Sequence, residues 1–202
     1  MSKAVLPVCY LPPVSYFIQL LKHDEILLDS HEYFAKQTYR SRCKILGVNK
    51  VQDLIIPVSR SSKMPMHEVN IVYDGRWQFE QWHSIISAYR SAPYFEYYDY
   101  KLESVFKQQT TSLVQHNLNL LKVLCKLLKI DFNPALSETY VEPTHDMADL
   151  RSEFTPKKET GIPLKEYTQV FAEKHPFMPD LSIVDALFNL GPGTLDYLKS
   201  HV

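Results

Sequence analysis

The pattern of hydrophobic positions divides the chain into a strand-forming first part and a mainly helical remainder. In residues 1–75, short apolar or alternating runs predict strands at 4–9, 26–29, 39–46, 51–58 and 67–73, with one helix over 14–21. The turn signal Asp74-Gly75 follows the last of these runs. We therefore expect residues 1–75 to be rich in β-sheet.

From residue 76 onward the apolar positions recur with a helical period. Trp82, Ile85, Ile86 and Tyr89 share one face of a helix that ends before Pro93, and residues 110–130 predict a longer amphipathic helix. Residues 131–163 are polar and contain several prolines, which predicts a long surface loop. Helices are predicted again at 164–173, 183–190 and 194–198, within a helical C-terminal part over 164–202.

These elements predict an α/β or α+β fold. We expect an N-terminal β-sheet with flanking helices on at least one face, followed by a helical C-terminal half. The length of 202 residues fits a single domain over 1–202, since domains commonly span about 100–200 residues.

Composition narrows the range of functions. The chain carries 22 Lys and Arg against 23 Asp and Glu, so general electrostatic capture of nucleic acid or of an anionic membrane is not expected. The five glycines form neither a G-x-G-x-x-G nor a G-x-x-x-x-G-K motif, which excludes the common dinucleotide and Walker loops. Cys and His ligands are not clustered, and we expect no bound metal and no cofactor.

The cysteines and the apolar runs indicate a cytoplasmic protein. Cys9, Cys43 and Cys125 are odd in number and widely spaced, which does not fit a disulfide framework. Pro7, Pro12 and Pro13 interrupt the apolar N-terminus, so a secretory signal is not expected. No uncharged apolar run reaches the roughly 20 residues that a membrane-spanning helix requires. The oligomeric state is left open.

The segment 36–50 concentrates positive charge in an otherwise balanced chain. If 39–46 is a strand, Arg40, Arg42 and Lys44 lie on one face, because side chains alternate along a strand. Guanidinium groups bind carboxylate or phosphate oxygens in pairs, so one interpretation is a site for an anionic small molecule such as a nucleotide sugar or an acyl donor. The other is a solvated or edge-protecting strand whose arginines pair with Asp24, Glu25 or Glu32.

Three residues near the second predicted strand are candidates for catalysis. Asp29 ends the apolar run, and ligands collect at the carboxyl ends of strands in open α/β sheets. His31 and Glu32 follow and are candidate general bases, since histidine titrates near neutrality. His83, on the predicted Trp82 helix, is a further candidate base. The alternative for Asp29 and His31 is a turn with a surface histidine.

Several stretches resemble the WbqC-like family of bacterial proteins. They are Y-L-P-P-V-S-Y-F at 10–17, K-Q-T-Y-R-S-R-C-K-I at 36–45, I-I-P-V at 55–58, W-H-S-I-I-S-A-Y-R-S-A-P-Y-F at 82–95 and F-M-P-D-L-S-I-V-D-A-L-F-N-L-G-P at 177–192. The resemblance singles out positions without assigning roles to them. The positions are Tyr10, Pro12, Tyr16, Asp29, Lys36, Arg40, Arg42, His83, Tyr89, Pro93, Ser182, Asp185, Asn189 and Gly191. From these we take Tyr10, Tyr16, Lys36, Arg40, Arg42, Tyr89 and Asn189 as candidate substrate-binding residues.

The resemblance implies a role in making O-antigen or another surface polysaccharide. The implied activity is transfer of an acyl or aminoacyl group to an amino sugar or nucleotide-sugar precursor; the alternative is a non-catalytic sugar-nucleotide-binding or assembly protein of the same pathway. Many members begin with His-Gln-Pro where this chain has Leu6-Pro7-Val8, and many have a longer segment before the last motif, which marks a compact branch. Arg151, Lys157 and Lys158 of the shorter segment could bring a second cation to the same site.

Overall fold

A parallel β-sheet of four short strands organises the fold. The computed structural model describes residues 2–59, 63–132, 135–159 and 161–202. The strands are β1 (Lys3–Pro7), β2 (Glu25–Asp29), β3 (Arg42–Leu46), β4 (Val51–Ile55), β5 (Val58–Ser59), β6 (Asn70–Ile71), β7 (Ala135–Leu136) and β8 (Met147–Asp149). The sheet has the order β7, β2, β1, β8, and each neighbouring pair is parallel. The remaining strands pair as two antiparallel ribbons, β3 with β4 and β5 with β6.

Helices pack around this sheet and supply most of the core. They are α1 (Val14–Lys22), α2 (Trp77–Tyr89), α3 (Phe95–Lys107), α4 (Leu113–Leu128), α5 (Ile183–Leu190) and α6 (Thr194–Lys199). The long helix α4 is capped at its N-terminus by Ser112, whose Oγ accepts a hydrogen bond from the Gln115 amide, and at its C-terminus by Lys129, in the left-handed conformation. The predicted mixed fold, with a sheet, flanking helices and a helical C-terminal part, is confirmed.

The predicted boundaries hold in some elements and shift in others. Helix α5 begins and ends where the sequence predicts, and Gly191 follows it with a φ of 55°. Strand β3 begins at Arg42 instead of residue 39, and its buried face carries Cys43 and Ile45. Arg42 and Lys44 thus share the other face as expected, while Arg40 precedes the strand.

The predicted helix at 164–173 is wrong. Most of this segment has no regular secondary structure and ends in a series of turns. The buried side chain of Gln169 holds it in place by donating to the Met178 carbonyl at 3.0 Å and to Asp185 at 2.9 Å. Tyr167 also donates to Asp185, at 2.6 Å. These bonds to one buried carboxyl group outweigh the helical periodicity of the segment.

The predicted loop at 131–163 contributes to the sheet. It supplies both edge strands, β7 and β8, which pair with β2 and β1. Residues 133–134 and 160 of this segment lie outside the described residues. Among the residues that the structure describes, no helix is long and apolar enough to cross a bilayer.

Candidate functional site

Several polar and charged side chains lie together at the carboxyl end of the parallel sheet. Asp29 ends β2, Asp149 ends β8, and Ser137 directly follows β7. The chain runs from β1 to β2 on one side of β1, whereas β8 lies on the other side. Loops diverge at such a change of direction and leave a crevice, which is where open α/β sheets bind ligands.

Asp29 is fully buried at this end of the sheet. Its Oδ1 accepts hydrogen bonds from the amides of His31 and Glu32, at 2.8 and 3.1 Å, and from Ser137 Oγ at 3.1 Å. Its Oδ2 accepts one from Arg151 Nη1 at 2.6 Å. These donors hold the Asp29 carboxylate in one orientation, so Asp29 sets the position of Arg151.

Arg151 links Asp29 to the second strand-terminal carboxylate. Its Nε and Nη2 donate to the two oxygens of Asp149 at 2.9 and 2.7 Å. This ion pair lowers the pKa of Asp149 and raises that of Arg151. The Tyr140 ring lies 4.7 Å from the Arg151 guanidinium carbon, a cation–π contact that covers one face of the cation.

A second buried ion pair completes the network. Arg40 donates to both oxygens of Glu32, from Nε at 2.8 Å and from Nη2. Arg40 Nη2 also donates to the Arg151 carbonyl at 3.1 Å, which joins the two pairs. Burial raises the pKa of Glu32, and the hydrogen bonds from Arg40 oppose this effect. The network therefore holds three carboxylates, Asp29, Glu32 and Asp149, against two guanidinium groups.

This charged network forms one wall of an open cleft of about 410 Å³. The lining residues are Glu32, Tyr33, Ala35, Thr38, Arg40, Tyr140, Asp149, Arg151, Ser152, Phe154 and Thr155. Tyr33 and Tyr140 are 63% and 46% exposed, although both are large aromatic residues. A concave site with fixed polar groups and accessible rings is typical of small-molecule binding.

Comparison with known proteins places the chain in a family. A model of the WbqC-like protein family matches residues 8–157, about three quarters of the chain. This chain belongs to the WbqC-like protein family. It is also similar to the uncharacterized protein Rv1507c of Mycobacterium tuberculosis, with 24% identity across 97% of this chain and 96% of that protein. No solved structure matches the chain at a significant level.

The WbqC-like match includes the whole cleft, since it spans Glu32 to Thr155. It ends before the motif at 177–192 that also resembles the family. That motif forms α5 and its flanking turns, and it lies outside the matched range.

Of the predicted catalytic residues, the structure brings Asp29 and His31 together; neither lines the cleft itself, and His31 directly precedes the cleft-lining Glu32. His31 Nδ1 lies 3.2 Å from Ser30 Oγ and 3.4 Å from Ser137 Oγ, and Ser137 bonds Asp29. His83 lies elsewhere, on the exposed face of α2, where its ring is 4.1 Å from that of Phe79.

The predicted substrate-binding residues separate into three groups. Arg40 belongs to the network, and the exposed Lys36 follows the cleft-lining Ala35. Arg42 lies on β3 and pairs with Asp53 of β4 at 3.1 Å. The other four are buried and bonded within the protein: Tyr10 to Gln81, Tyr16 to the Pro7 carbonyl, Tyr89 to the Leu46 amide and Asn189 to the Asp185 carbonyl.

Among the residues that bond within the network or expose a ring to the cleft, Tyr33, Ser137, Tyr140 and Asp149 were not anticipated. One sequence signal could have identified Asp149. It follows the apolar pair Met147-Ala148, just as Asp29 follows a longer apolar run. Within the described ranges, no group of three or more His, Cys, Asp or Glu side chains is arranged to hold a metal ion.

Proposed function

We propose that this protein is a cytoplasmic transferase that adds an acyl or aminoacyl group to an amino sugar or nucleotide-sugar precursor of a bacterial surface polysaccharide. The observation that carries the proposal is the cleft, in which two exposed tyrosine rings stand beside a rigid charged network at the carboxyl end of a parallel sheet. The buried free thiols of Cys9, Cys43 and Cys125 support a reducing compartment.

The unused hydrogen-bonding capacity of the network matches an amino sugar. A guanidinium group has five N–H bonds, and the side chain of Arg151 makes three hydrogen bonds among the described residues. Its remaining N–H bonds are suited to sugar hydroxyls, and the excess carboxylate charge is suited to an amine. Lys36, exposed beside the cleft, is the cation that we propose for the phosphates of a nucleotide.

In the proposed reaction the amine attacks the carbonyl carbon of the acyl donor. A C–N bond forms, the bond between the acyl carbon and the donor's leaving atom breaks, and the nitrogen loses a proton. We assign that proton to His31, whose Nδ1 is held by Ser30 and Ser137 and whose Nε2 makes no hydrogen bond within the described residues. Asp29 acts as a positioning residue through Arg151. We give His83 no role in this step.

Binding is tested with UDP-glucosamine and UDP-glucose. UDP-glucosamine carries an amine where UDP-glucose carries a hydroxyl group. We expect UDP-glucosamine to bind about tenfold more tightly, and Tyr33→Ala to weaken its binding about tenfold, because truncating an aromatic contact removes much of its binding energy. Tyr97→Ala is the matched control, since Tyr97 is 68% exposed on α3. Calorimetry gives the dissociation constants. Equal binding of both sugars, or equal losses in the two variants, would contradict the proposed site.

A non-catalytic binding protein is the second candidate. It is favoured by the pairing of every charged side chain that lines the cleft with another group of the chain. The two candidates separate when the bound amino sugar is incubated with acetyl-CoA, a formyl donor or an aminoacyl thioester and its mass is measured. Transfer predicts a mass gain that His31→Asn abolishes without weakening sugar binding. Binding with no mass gain from any donor would identify the binding protein.

A further inference from the structure

A second cleft lies between α2 and α3, away from the charged network. It has a volume of about 500 Å³, within the range of about 300–1,000 Å³ that small-molecule sites occupy. The lining residues are Gly75, Arg76, Gln78, Phe79, Trp82, His83, Ile86, Glu103, Phe106 and Lys107. It shares no lining residue with the cleft at the sheet.

The floor of this helical cleft is aromatic. Trp82 and Phe106 are buried, with ring centroids 5.4 Å apart. Phe79 stands at the side and is 51% exposed, although it is the most apolar kind of aromatic residue. The Arg76 guanidinium lies 4.4 Å from the centroid of the Phe79 ring. Three aromatic side chains therefore line the cleft, which favours a flat apolar group packed against them.

The rim of the helical cleft carries an unbalanced positive charge. Lys107 pairs with Glu103 at 3.2 Å, whereas Arg76 forms no ion pair with any residue that the structure describes. Glu80 lines a neighbouring cleft, which shares Phe79 and His83 with this one, and not the helical cleft itself. A guanidinium group above a ring is suited to hold the carboxylate of a ligand whose body lies on that ring.

We propose that the helical cleft is a binding site for a planar aromatic carboxylate. The apolar body lies on Trp82 and Phe106 and against Phe79, and the carboxylate bonds to Arg76. The site is independent of the proposed transferase activity, because it uses none of the residues of the charged network.

The test uses 2-naphthoate as the probe, with its neutral amide and octanoate as comparison ligands. The protein has two tryptophans, Trp77 and Trp82, so its NMR spectrum contains two indole N–H signals, which a Trp77→Phe variant assigns. Saturating 2-naphthoate should shift the Trp82 signal strongly and the Trp77 signal little. An unshifted Trp82 signal would overturn the proposal.

Variants locate the two parts of the ligand. We expect Phe79→Ala to weaken 2-naphthoate binding at least about tenfold, and Arg76→Gln to weaken it several-fold while leaving the binding of the amide unchanged. The exposed residues Tyr97 and Arg90 supply the matched controls, Tyr97→Ala and Arg90→Gln, which should bind like the parent protein. Binding of the amide or of octanoate as tight as that of 2-naphthoate would overturn the assigned ligand class.

Discussion

Two regions of the interior hold buried polar side chains in opposite ways. At the carboxyl end of the sheet, Asp29, Glu32, Arg40 and Arg151 are all at least nine-tenths buried, and each is paired with a residue of opposite charge. On α4, His116 is fully buried, and neither ring nitrogen has a hydrogen-bond partner among the residues that the structure describes. Its neighbours are aromatic, with Tyr10 at 6.0 Å and Trp77 at 5.8 Å between ring centroids.

The two regions should therefore respond differently to mutation and to a change of pH. Charge persists in the network because opposite charges and backbone amides replace the lost water, so removing one partner leaves another charge buried without compensation. Around His116 no hydrogen-bonding group of the described residues replaces the water, and burial lowers the pKa of the imidazole to about 4. The network should therefore be sensitive to the loss of a partner, and the His116 region to acid.

The largest effect is expected from removing the charge of Asp29. Asp29→Asn keeps the shape of the side chain but turns an amide N–H₂ toward donors and leaves Arg151 paired with Asp149 alone. We expect it to lower the free energy of unfolding by about 3–5 kcal/mol, which is typical of a broken buried ion pair. Urea denaturation followed by circular dichroism measures this loss.

The control for Asp29 lies at the other end of the same strand. Glu25 begins β2 and pairs with Lys3 at 2.7 Å, and both side chains are about half exposed. Glu25→Gln should cost less than about 1 kcal/mol, because water screens surface ion pairs. Similar losses in Asp29→Asn and Glu25→Gln would mean that burial of the network contributes nothing.

The next effect concerns the pH dependence of stability. The pKa of His116 is about 4 in the folded protein, below the value of about 6.5 for an exposed histidine. The folded state therefore binds fewer protons, and its stability falls as the pH falls from about 6.5 through 4, by up to about 3 kcal/mol. We expect His116→Leu to retain this stability in acid and to differ little from the parent at pH 7.

Denaturation curves between pH 7 and pH 4 test this expectation. His145 is exposed and serves as the control, so His145→Leu should follow the parent curve. If His116→Leu loses stability in parallel with the parent across this range, the buried imidazole is not the group that takes up the proton.

Only some residues of the candidate site could be predicted from the sequence. Asp29 could be placed at a strand end because an apolar run precedes it, and Glu32 was already a possible partner for the arginines. Tyr140 carries no such signal and Asp149 only the two apolar residues before it, because β7 and β8 have only two and three residues. A period of two cannot be recognised over so few positions, and their partners β2 and β1 lie more than 100 residues away in the chain.

The arginines also show that a local pattern cannot predict tertiary contacts. Alternation correctly placed Arg42 and Lys44 on one strand face, since it depends only on local geometry. Arg40 left that face because β3 begins after it, and its buried ion pair with Glu32 decides its direction. The helix predicted at 164–173 failed for a similar reason, because the tertiary contact of Gln169 with Asp185 overrides a local pattern.

The smallest effect separates Arg42 from Arg40, two residues away. The ion pair of Arg42 with Asp53 is partly open to solvent, with the two side chains 18% and 35% exposed. Arg42→Met should therefore cost less than about 1 kcal/mol, and the loss should shrink further in 1 M salt, where charges are screened beyond about 3 Å. Arg40→Met should cost more, and salt should change that loss little, because solvent ions do not reach a buried pair. Urea denaturation at low and high salt measures both losses. A loss for Arg42→Met that is as large and as insensitive to salt as that for Arg40→Met would show that both arginines stabilise the fold in the same way.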